Sequence, residues 1–257
     1  MIIKTIFLFV MFLTLSVRAQ DVKKYFDEYD VKGSFMVYDT YADKYYYYDS
    51  ARCFTRFTPA STFKIPNSLI GLETGILTDE NFVIPWDGTK SRETCDKDLS
   101  LKDAIKFSCV WYYKELARRV GSVKMQEMLD AFNYGNKDIS NGIDKFWLEG
   151  SLKISQAEQI EFLKKLYKYE LPVSKRSVDI LKNIIVLDST SGYIMRGKTG
   201  WGFEGNTDIG WLVGWIEKSD NIYFYAINVE TDKDNPRFAE SRRAITENIF
   251  REFGVIK

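Results

Sequence analysis

Two segments near the start of the chain have the composition and the alternation that are typical of β-strands. They cover residues 34–39 and 44–48, and the polar residues 40–43 between them predict a turn. Tyrosines fill the second segment and raise the alternative of a stacking platform for nucleic acid bases. Because no basic residues are interleaved among them, packing within a sheet is the better interpretation.

Helical periodicity dominates the middle of the chain. A helix is predicted from Ser61 to Gly75, where the glycine is a suitable C-cap. Ser155 and Glu158 form a capping-box pattern, which predicts a further helix that begins there and runs to about residue 167. Similar periodicity predicts helices over residues 98–107, 111–121, 122–132 and 174–187.

Strand patterns return towards the end of the chain, over residues 193–199, 209–217 and 221–230, and an amphipathic helix follows over 240–253. This order of elements predicts an α/β (α+β) fold in which both chain ends contribute to one sheet flanked by helices. A mostly helical subdomain, roughly residues 76–190, would be inserted between them. Residues 20–257 would form a single domain, because no repeat or long linker interrupts them.

Residues 1–19 have the features of a secretory signal peptide. Lys4 supplies the positive charge expected at the start of a signal peptide, residues 5–15 form a short apolar segment, and Val17-Arg18-Ala19 resembles a cleavage site. An uncleaved N-terminal anchor is the alternative, but the apolar run is short for a membrane span. We therefore expect an exported protein without a stable membrane anchor, in the periplasm of a Gram-negative bacterium.

The composition excludes several kinds of chemistry. The chain contains 36 basic and 36 acidic residues, so its net charge gives no reason to expect a nucleic acid partner. It contains no histidine, which rules out Ser-His-Asp triads, Cys-His dyads and histidine-ligated metals. The three cysteines have no CxxC spacing and allow at most one disulfide, and whether Cys53 and Cys95 pair is left open. We expect no metal.

Ser61 and Lys64 form the only Ser-x-x-Lys sequence in the chain, at the start of a predicted buried helix. Residues three apart on a helix share a face, so the lysine nitrogen can reach the serine hydroxyl. Without histidine, a serine nucleophile needs a lysine, a carboxylate or a modified group as its base. Taken alone, however, the motif also fits an ordinary N-cap serine followed by an unrelated lysine.

Three further short motifs follow in order, and each one alone also fits a cap, a turn or a strand end. They are Ser108-Cys109-Val110, Tyr134-Gly135-Asn136 and Lys198-Thr199-Gly200. A later Ser219-Asp220-Asn221 comes after Lys-Thr-Gly and joins two predicted strands, so it is better explained as a turn than as the Ser-Asp-Asn of class A β-lactamases.

Together, these four motifs resemble those of the class D (oxacillinase-type) serine β-lactamases. The resemblance spans nearly the whole chain and includes residues 56–67, 71–75, 139–149 and 210–215. It implies a β-lactamase/transpeptidase-like fold with an antiparallel sheet. It also implies a secreted enzyme that hydrolyses penicillins and related antibiotics and confers resistance to them.

The resemblance also implies a mechanism. Ser61 would carry the acyl group, and Lys64, carbamylated by carbon dioxide or bicarbonate, would be the general base. Trp147 would hold the carbamate through its indole N–H. Val110 and Leu148 would flank the carbamate and govern the access of water. No other cofactor is implied.

The remaining roles concern the substrate. Ser108 would pass a proton to the lactam nitrogen, and Lys198 would keep that region electropositive. The substrate carboxylate would face Lys198, Thr199 and Gly200, and Arg242 would pair with it.

Two further roles follow from the resemblance. The backbone N–H groups of Ser61 and Trp201 would form the oxyanion hole, and Tyr134 would line the site. A non-hydrolytic penicillin-binding sensor and a transpeptidase-type domain are the alternatives for function. The protein would be a monomer or a homodimer.

Overall fold

The computed structural model of the chain describes residues 19–257, with side chains from Val22 onwards. The predicted signal peptide therefore lies outside the described residues, apart from Ala19, at which the first helix begins. Within the described residues, no helix is long and apolar enough to cross a membrane.

A six-stranded antiparallel sheet forms the centre of the molecule, in the order β2-β1-β8-β7-β6-β5. Both ends of the chain contribute to it, as predicted. Its strands are β1 (Lys32–Asp39), β2 (Lys44–Tyr48), β5 (Val186–Ser189), β6 (Ile194–Glu204), β7 (Thr207–Lys218) and β8 (Asn221–Thr231), while β3 (Val83–Ile84) and β4 (Leu99–Ser100) pair separately.

Helices cover both faces of this sheet. They are α1 (Ala19–Glu28), α2 (Ser50–Cys53), α3 (Lys64–Glu73), α4 (Leu101–Lys106), α5 (Val110–Val120), α6 (Ser122–Phe132), α7 (Gln156–Tyr167), α8 (Lys175–Ile184) and α9 (Phe238–Glu252). A 3₁₀ turn, Ala60–Phe63, leads directly into α3.

Two hydrophobic cores lie on opposite faces of the sheet, because successive side chains of a strand point in opposite directions. Phe35 and Val37 of β1 belong to the core shared with α1 and α9, whereas Met36 between them belongs to the core shared with the helical block. The same alternation separates Leu212 from Val213 in β7. The four sequence motifs lie on the side of the helical block.

Most predicted elements are confirmed, including the Ser155 capping box at the start of α7. Two predicted helices were too long. Residues 98–107 begin with the short strand β4, and Ser100 then caps α4. The predicted helix 174–187 ends at Ile184, after which the chain forms the edge strand β5. Helix α1 was not predicted.

The turn predicted at residues 219–221 is confirmed. Lys218 pairs with Asn221 across the β7–β8 hairpin, which leaves Ser219 and Asp220 as its two turn residues. Ser219 has a φ of 52°, in the left-handed region that such tight hairpins need. The Ser-Asp-Asn sequence therefore serves to reverse the chain.

Candidate active site

Ser61 and Lys64 meet at the junction of the 3₁₀ turn and α3. Ser61 lies within the turn and Lys64 is the first residue of the α-helix. The Lys64 Nζ donates a hydrogen bond of 2.7 Å to the Ser61 Oγ. The predicted pairing within the Ser-x-x-Lys motif is therefore present, although a 3₁₀ turn rather than the α-helix itself carries the serine.

The Lys64 side chain is completely buried. Burial lowers its pKa well below the ordinary value, and the positive charges of Lys198 and Arg92 lower it further. A lowered pKa increases the fraction of neutral amine, and only the neutral amine has the free electron pair that can accept a proton from a hydroxyl or react with carbon dioxide. The structure thus places a buried amine with a lowered pKa next to the Ser61 hydroxyl.

A close approach of β6 to the Ser61 turn forms one wall of the site. A Cβ atom at Gly200 would lie 2.9 Å from the Pro59 carbonyl oxygen, which explains the glycine of Lys-Thr-Gly. Ala60, directly before Ser61, has a φ of 48°, and its N–H donates to the Trp147 carbonyl at 3.0 Å. Backbone strain is concentrated at functional sites in many enzymes.

Ser108 lies between α4 and α5 and has a φ of 56°, another left-handed conformation at a non-glycine residue. Its neighbour Cys109 forms a disulfide with Cys95, with their Cα atoms 5.5 Å apart. The pairing of Cys95 is thus resolved, and Cys53 remains a buried free thiol. Cys109 lies inside the Ser-x-Val motif, so the disulfide joins this motif to the loop before it.

Lys198 and Arg242 form a cationic region at one side of the site. Burial lowers the pKa of Lys198 to about 7, with smaller contributions from Arg242 and Arg92. Arg242 is nearly buried, and its Nη1 donates to the Gly200 carbonyl at 2.6 Å. The neighbouring Arg243 forms an ion pair with Glu247 instead.

A cavity of about 400 Å³ lies beside Ser61 and Arg242, and Lys64 and Lys198 are not among the residues that line it. Seven of the predicted site residues line it: Ser61, Ser108, Val110, Thr199, Gly200, Trp201 and Arg242. Three residues that were not predicted also line it: Ser91, Arg92 and Cys95. They belong to an irregular loop whose sequence has no periodicity, and only a spatial argument could have placed them here.

Trp147 is fully buried behind the nucleophile and stacks on Phe63, with ring centroids 5.4 Å apart. Its indole N–H has no hydrogen-bond partner among the described residues. A buried unpaired donor costs about 1–3 kcal/mol, so it is rare unless a ligand or modification uses it. Leu148, half-buried beside it, is not part of the cavity lining.

Tyr134 occupies a different position from the one expected. It is fully buried, packs edge-on against Phe63 at 5.8 Å, and directs its hydroxyl to Gln159. It does not line the cavity. The prediction that it lines the substrate site is therefore wrong for this structure, in which Tyr134 supports the aromatic layer behind the Ser61 turn.

Comparisons with known proteins agree with this geometry. The family model of the penicillin-binding protein transpeptidase domain matches residues 16–253. The β-lactamase OXA-5 of Pseudomonas aeruginosa is 43% identical over 237 residues, which are 91% of this chain and 88% of that protein. The β-lactamase OXA-48 of Klebsiella pneumoniae is 40% identical, over 90% of this chain and 87% of that protein.

Solved structures give the same result. FUS-1 (OXA-85), a class D β-lactamase from Fusobacterium nucleatum subsp. polymorphum, has a TM-score of 0.88 and 44% identity, over 93% of this chain and 99% of that one. The C-terminal domain of the BlaR penicillin receptor of Bacillus licheniformis has a TM-score of 0.87 and 32% identity, over 92% of this chain and 96% of that one. The chain is more similar in sequence to these enzymes than to the receptor domain. It belongs to the class D β-lactamases, within the penicillin-binding protein transpeptidase family.

Proposed function

We propose that this protein hydrolyses the β-lactam ring of penicillins and related antibiotics through an acyl-enzyme on Ser61, and so confers resistance to them. The observation that carries the proposal is the 2.7 Å contact between the Ser61 Oγ and a fully buried lysine amine. A serine hydroxyl needs such a base within hydrogen-bond reach to become a nucleophile. Lys64 would receive the proton as Ser61 attacks the lactam carbonyl.

A carbamate on Lys64, formed from carbon dioxide or bicarbonate, would supply an anionic general base. The residues around Lys64 fit such a group. Its lowered pKa favours the neutral amine that must react, and the unpaired indole N–H of Trp147 is a buried donor available to an anion. Phe63 fixes the orientation of that indole by stacking on it.

Ring opening leaves a charge on the lactam nitrogen, and a proton must reach it. Ser108 would make this transfer, and its position in the lining of the same cavity as Ser61 supports this role. Lys198 lies within hydrogen-bond distance of Thr199, and a pKa of about 7 lets it take up or release a proton near neutral pH. Together they would return the proton taken from Ser61 to the leaving nitrogen.

Arg242 and Thr199 would bind the carboxylate that penicillins and cephalosporins carry, because a guanidinium can donate two parallel hydrogen bonds to it. The backbone N–H groups of Ser61 and Trp201 would form the oxyanion hole. Val110, at 39% exposed, borders the cavity at the start of α5 and would limit how water reaches the acyl-enzyme. Leu148 would act with it from the segment that carries Trp147.

The leader-like residues 1–19 support export, with the periplasm of a Gram-negative bacterium as the proposed compartment. Once there, the enzyme would meet β-lactams before they reach the transpeptidases of the cell wall. We propose that it acts without a stable membrane anchor, as a monomer or a homodimer.

The decisive experiment is steady-state hydrolysis of a chromogenic cephalosporin by the purified protein. We expect sustained turnover that rises when bicarbonate is added to depleted buffer, and its near-complete loss in Lys64→Ala. The structural likeness to a penicillin receptor makes a non-hydrolytic sensor the second candidate. A single stoichiometric burst without a steady state would favour that sensor and refute the enzyme.

A further inference from the structure

One cationic side chain at the catalytic cavity has no role in the mechanism above. Arg92 lies in the irregular loop between β3 and β4 and lines the cavity together with Ser61 and Ser108. Its Nε donates to the Cys95 sulfur at 3.3 Å, and its Nη2 donates to the Phe107 carbonyl. Within the described chain both of these acceptors are neutral, so no protein carboxylate neutralises the guanidinium there.

The loop that carries Arg92 is fastened to the catalytic motif. The Cys95–Cys109 disulfide joins it to the residue between Ser108 and Val110. The Trp111 indole N–H donates to the Cys95 carbonyl at 2.6 Å. Arg92 is therefore attached to the Ser-x-Val segment covalently and through hydrogen bonds, which limits its conformational freedom before any substrate binds.

Hydrogen bonds within the loop also fix the backbone of Arg92. The Asp96 Oδ1 accepts from the N–H groups of Ser91 and Arg92, at 2.8 and 3.1 Å. The carbonyl of Arg92 accepts from the N–H groups of Cys95 and Asp96, at 2.8 and 3.0 Å. The loop thus presents the guanidinium from a folded turn.

The charges around the cavity are unbalanced. Two guanidinium groups line it, those of Arg92 and Arg242, and its lining contains no carboxylate. The field of Arg92 reaches both catalytic lysines, because it contributes to the lowered pKa values of Lys64 and Lys198. The carboxylate on the β-lactam nucleus can be bound by Arg242, which leaves Arg92 for a second anion.

We infer that Arg92 is a specificity-determining residue that binds a second anionic group on the β-lactam, and that the Cys95–Cys109 disulfide holds it in position. The inference rests on the proposed function, since it assigns a substrate preference to the same site. The chemical class is a dianionic β-lactam, with one carboxylate on the nucleus and another on a side chain. Rigid placement of Arg92 reduces the entropy lost when the second carboxylate binds.

A matched pair of substrates tests this inference. Carbenicillin differs from benzylpenicillin by one carboxylate on the side chain, so the ratio of their kcat/KM values isolates the effect of that charge. Arg92→Gln removes the charge and keeps N–H groups that can donate to the Phe107 carbonyl. We expect the ratio of kcat/KM for carbenicillin to that for benzylpenicillin to fall about two- to fivefold, the range for an exposed ion pair. A general effect of the substitution on Lys64 or Lys198 would change kcat/KM for both substrates by the same factor, so the ratio would stay the same.

Two further variants separate charge from position. Arg92→Lys keeps the charge and should retain more of the preference than Arg92→Gln. Replacing both Cys95 and Cys109 by serine should lower the ratio in the same direction, because the loop then loses its attachment. Cys53→Ser, which removes a buried thiol outside the cavity, is the matched control and should leave the ratio at the wild-type value.

The wild-type enzyme supplies a test that no folding defect can obscure. Raising the salt concentration from 50 to 500 mM screens exposed charges, so the ratio should fall towards that of Arg92→Gln. A ratio insensitive both to salt and to Arg92→Gln would overturn the inference, while benzylpenicillin hydrolysis would still support the proposed function. Failure of the wild-type enzyme to turn over either penicillin would instead refute the function itself.

Discussion

The unpaired indole of Trp147 allows the proposed carbamate to be tested with a single substitution, Trp147→Phe. This change keeps an aromatic ring that can stack on Phe63 and removes the N–H donor. Because that donor has no partner among the described residues, its removal leaves no protein acceptor unsatisfied. The substitution therefore separates the donor from the packing better than Trp147→Ala, which would also empty a fully buried ring site.

The size of the effect follows from the bond that is lost. A hydrogen bond to a charged group contributes about 1.5–3 kcal/mol, which corresponds to about a 10- to 100-fold weaker carbamate. Trp147→Phe should cost less folding stability than the removal of a whole buried ring, which costs about 3–5 kcal/mol. Trp147→Phe should thus remain folded at 25 °C while needing about 10- to 100-fold more bicarbonate for half-maximal activity.

The assay is a bicarbonate titration of steady-state turnover in degassed buffer, combined with ¹³C NMR of enzyme in labelled bicarbonate. Trp215→Phe is the matched control, because that indole is also fully buried but donates to Glu217 at 2.9 Å, outside the cavity. It should lose stability without a change in bicarbonate demand. An unchanged half-maximal bicarbonate concentration in Trp147→Phe would refute the role of the indole, and a wild-type enzyme indifferent to bicarbonate would refute the carbamate.

Three further predictions follow from the geometry. Gly200→Ala would place a Cβ 2.9 Å from the Pro59 carbonyl oxygen, so the backbone of β6 or of the Ser61 turn must shift. We expect kcat/KM to fall at least about tenfold and Tm to fall with it, whereas unchanged kinetics and Tm would contradict the close approach. Lys198, with a pKa of about 7, becomes positively charged as the pH falls from 8.5 to 6, so benzylpenicillin should bind Ser61→Ala more tightly at the lower pH, and Lys198→Arg in that background should remove this dependence. Burial raises the pKa of the Cys53 thiol to about 12, so iodoacetamide should not label the native protein. After unfolding in the absence of reductant it should label one thiol, that of Cys53, and rapid labelling of the native protein would contradict the burial of this residue.

Local patterns in the sequence predict much of this fold because most of its elements have one buried face. The period-two pattern of β1 and the capping box of α7 each depend on residues close in the chain. Predictions failed where neighbours in space decide the structure. The helical pattern predicted over residues 174–187 extends past Ile184, but pairing with β6 makes residues 186–189 an edge strand.

In the candidate site, too, contacts between residues close in the chain could be predicted, whereas contacts between distant residues could not. Ser61 and Lys64 are three residues apart, so helical geometry alone predicts their contact. The partner of Cys95 depends on how the loop before β4 folds against α5, which no local pattern encodes. Tyr134 begins one of the four motifs, yet its contacts with Phe63 and Gln159 bury it behind the Ser61 turn, which the local sequence does not encode.

The missing histidine explains why so much positive charge surrounds this site. A lysine can act as a base near neutral pH only if its environment disfavours the ammonium form, and both burial and neighbouring cations do so. Lys198 and Arg92 lower the pKa of Lys64, and Arg242 and Arg92 lower that of Lys198. Such a cluster destabilises the folded protein until anions occupy it. The two anions that the proposed chemistry requires, a carbamate on Lys64 and the substrate carboxylate, are thus the groups that offset this repulsion, so the residues that make the base also create the affinity for the substrate.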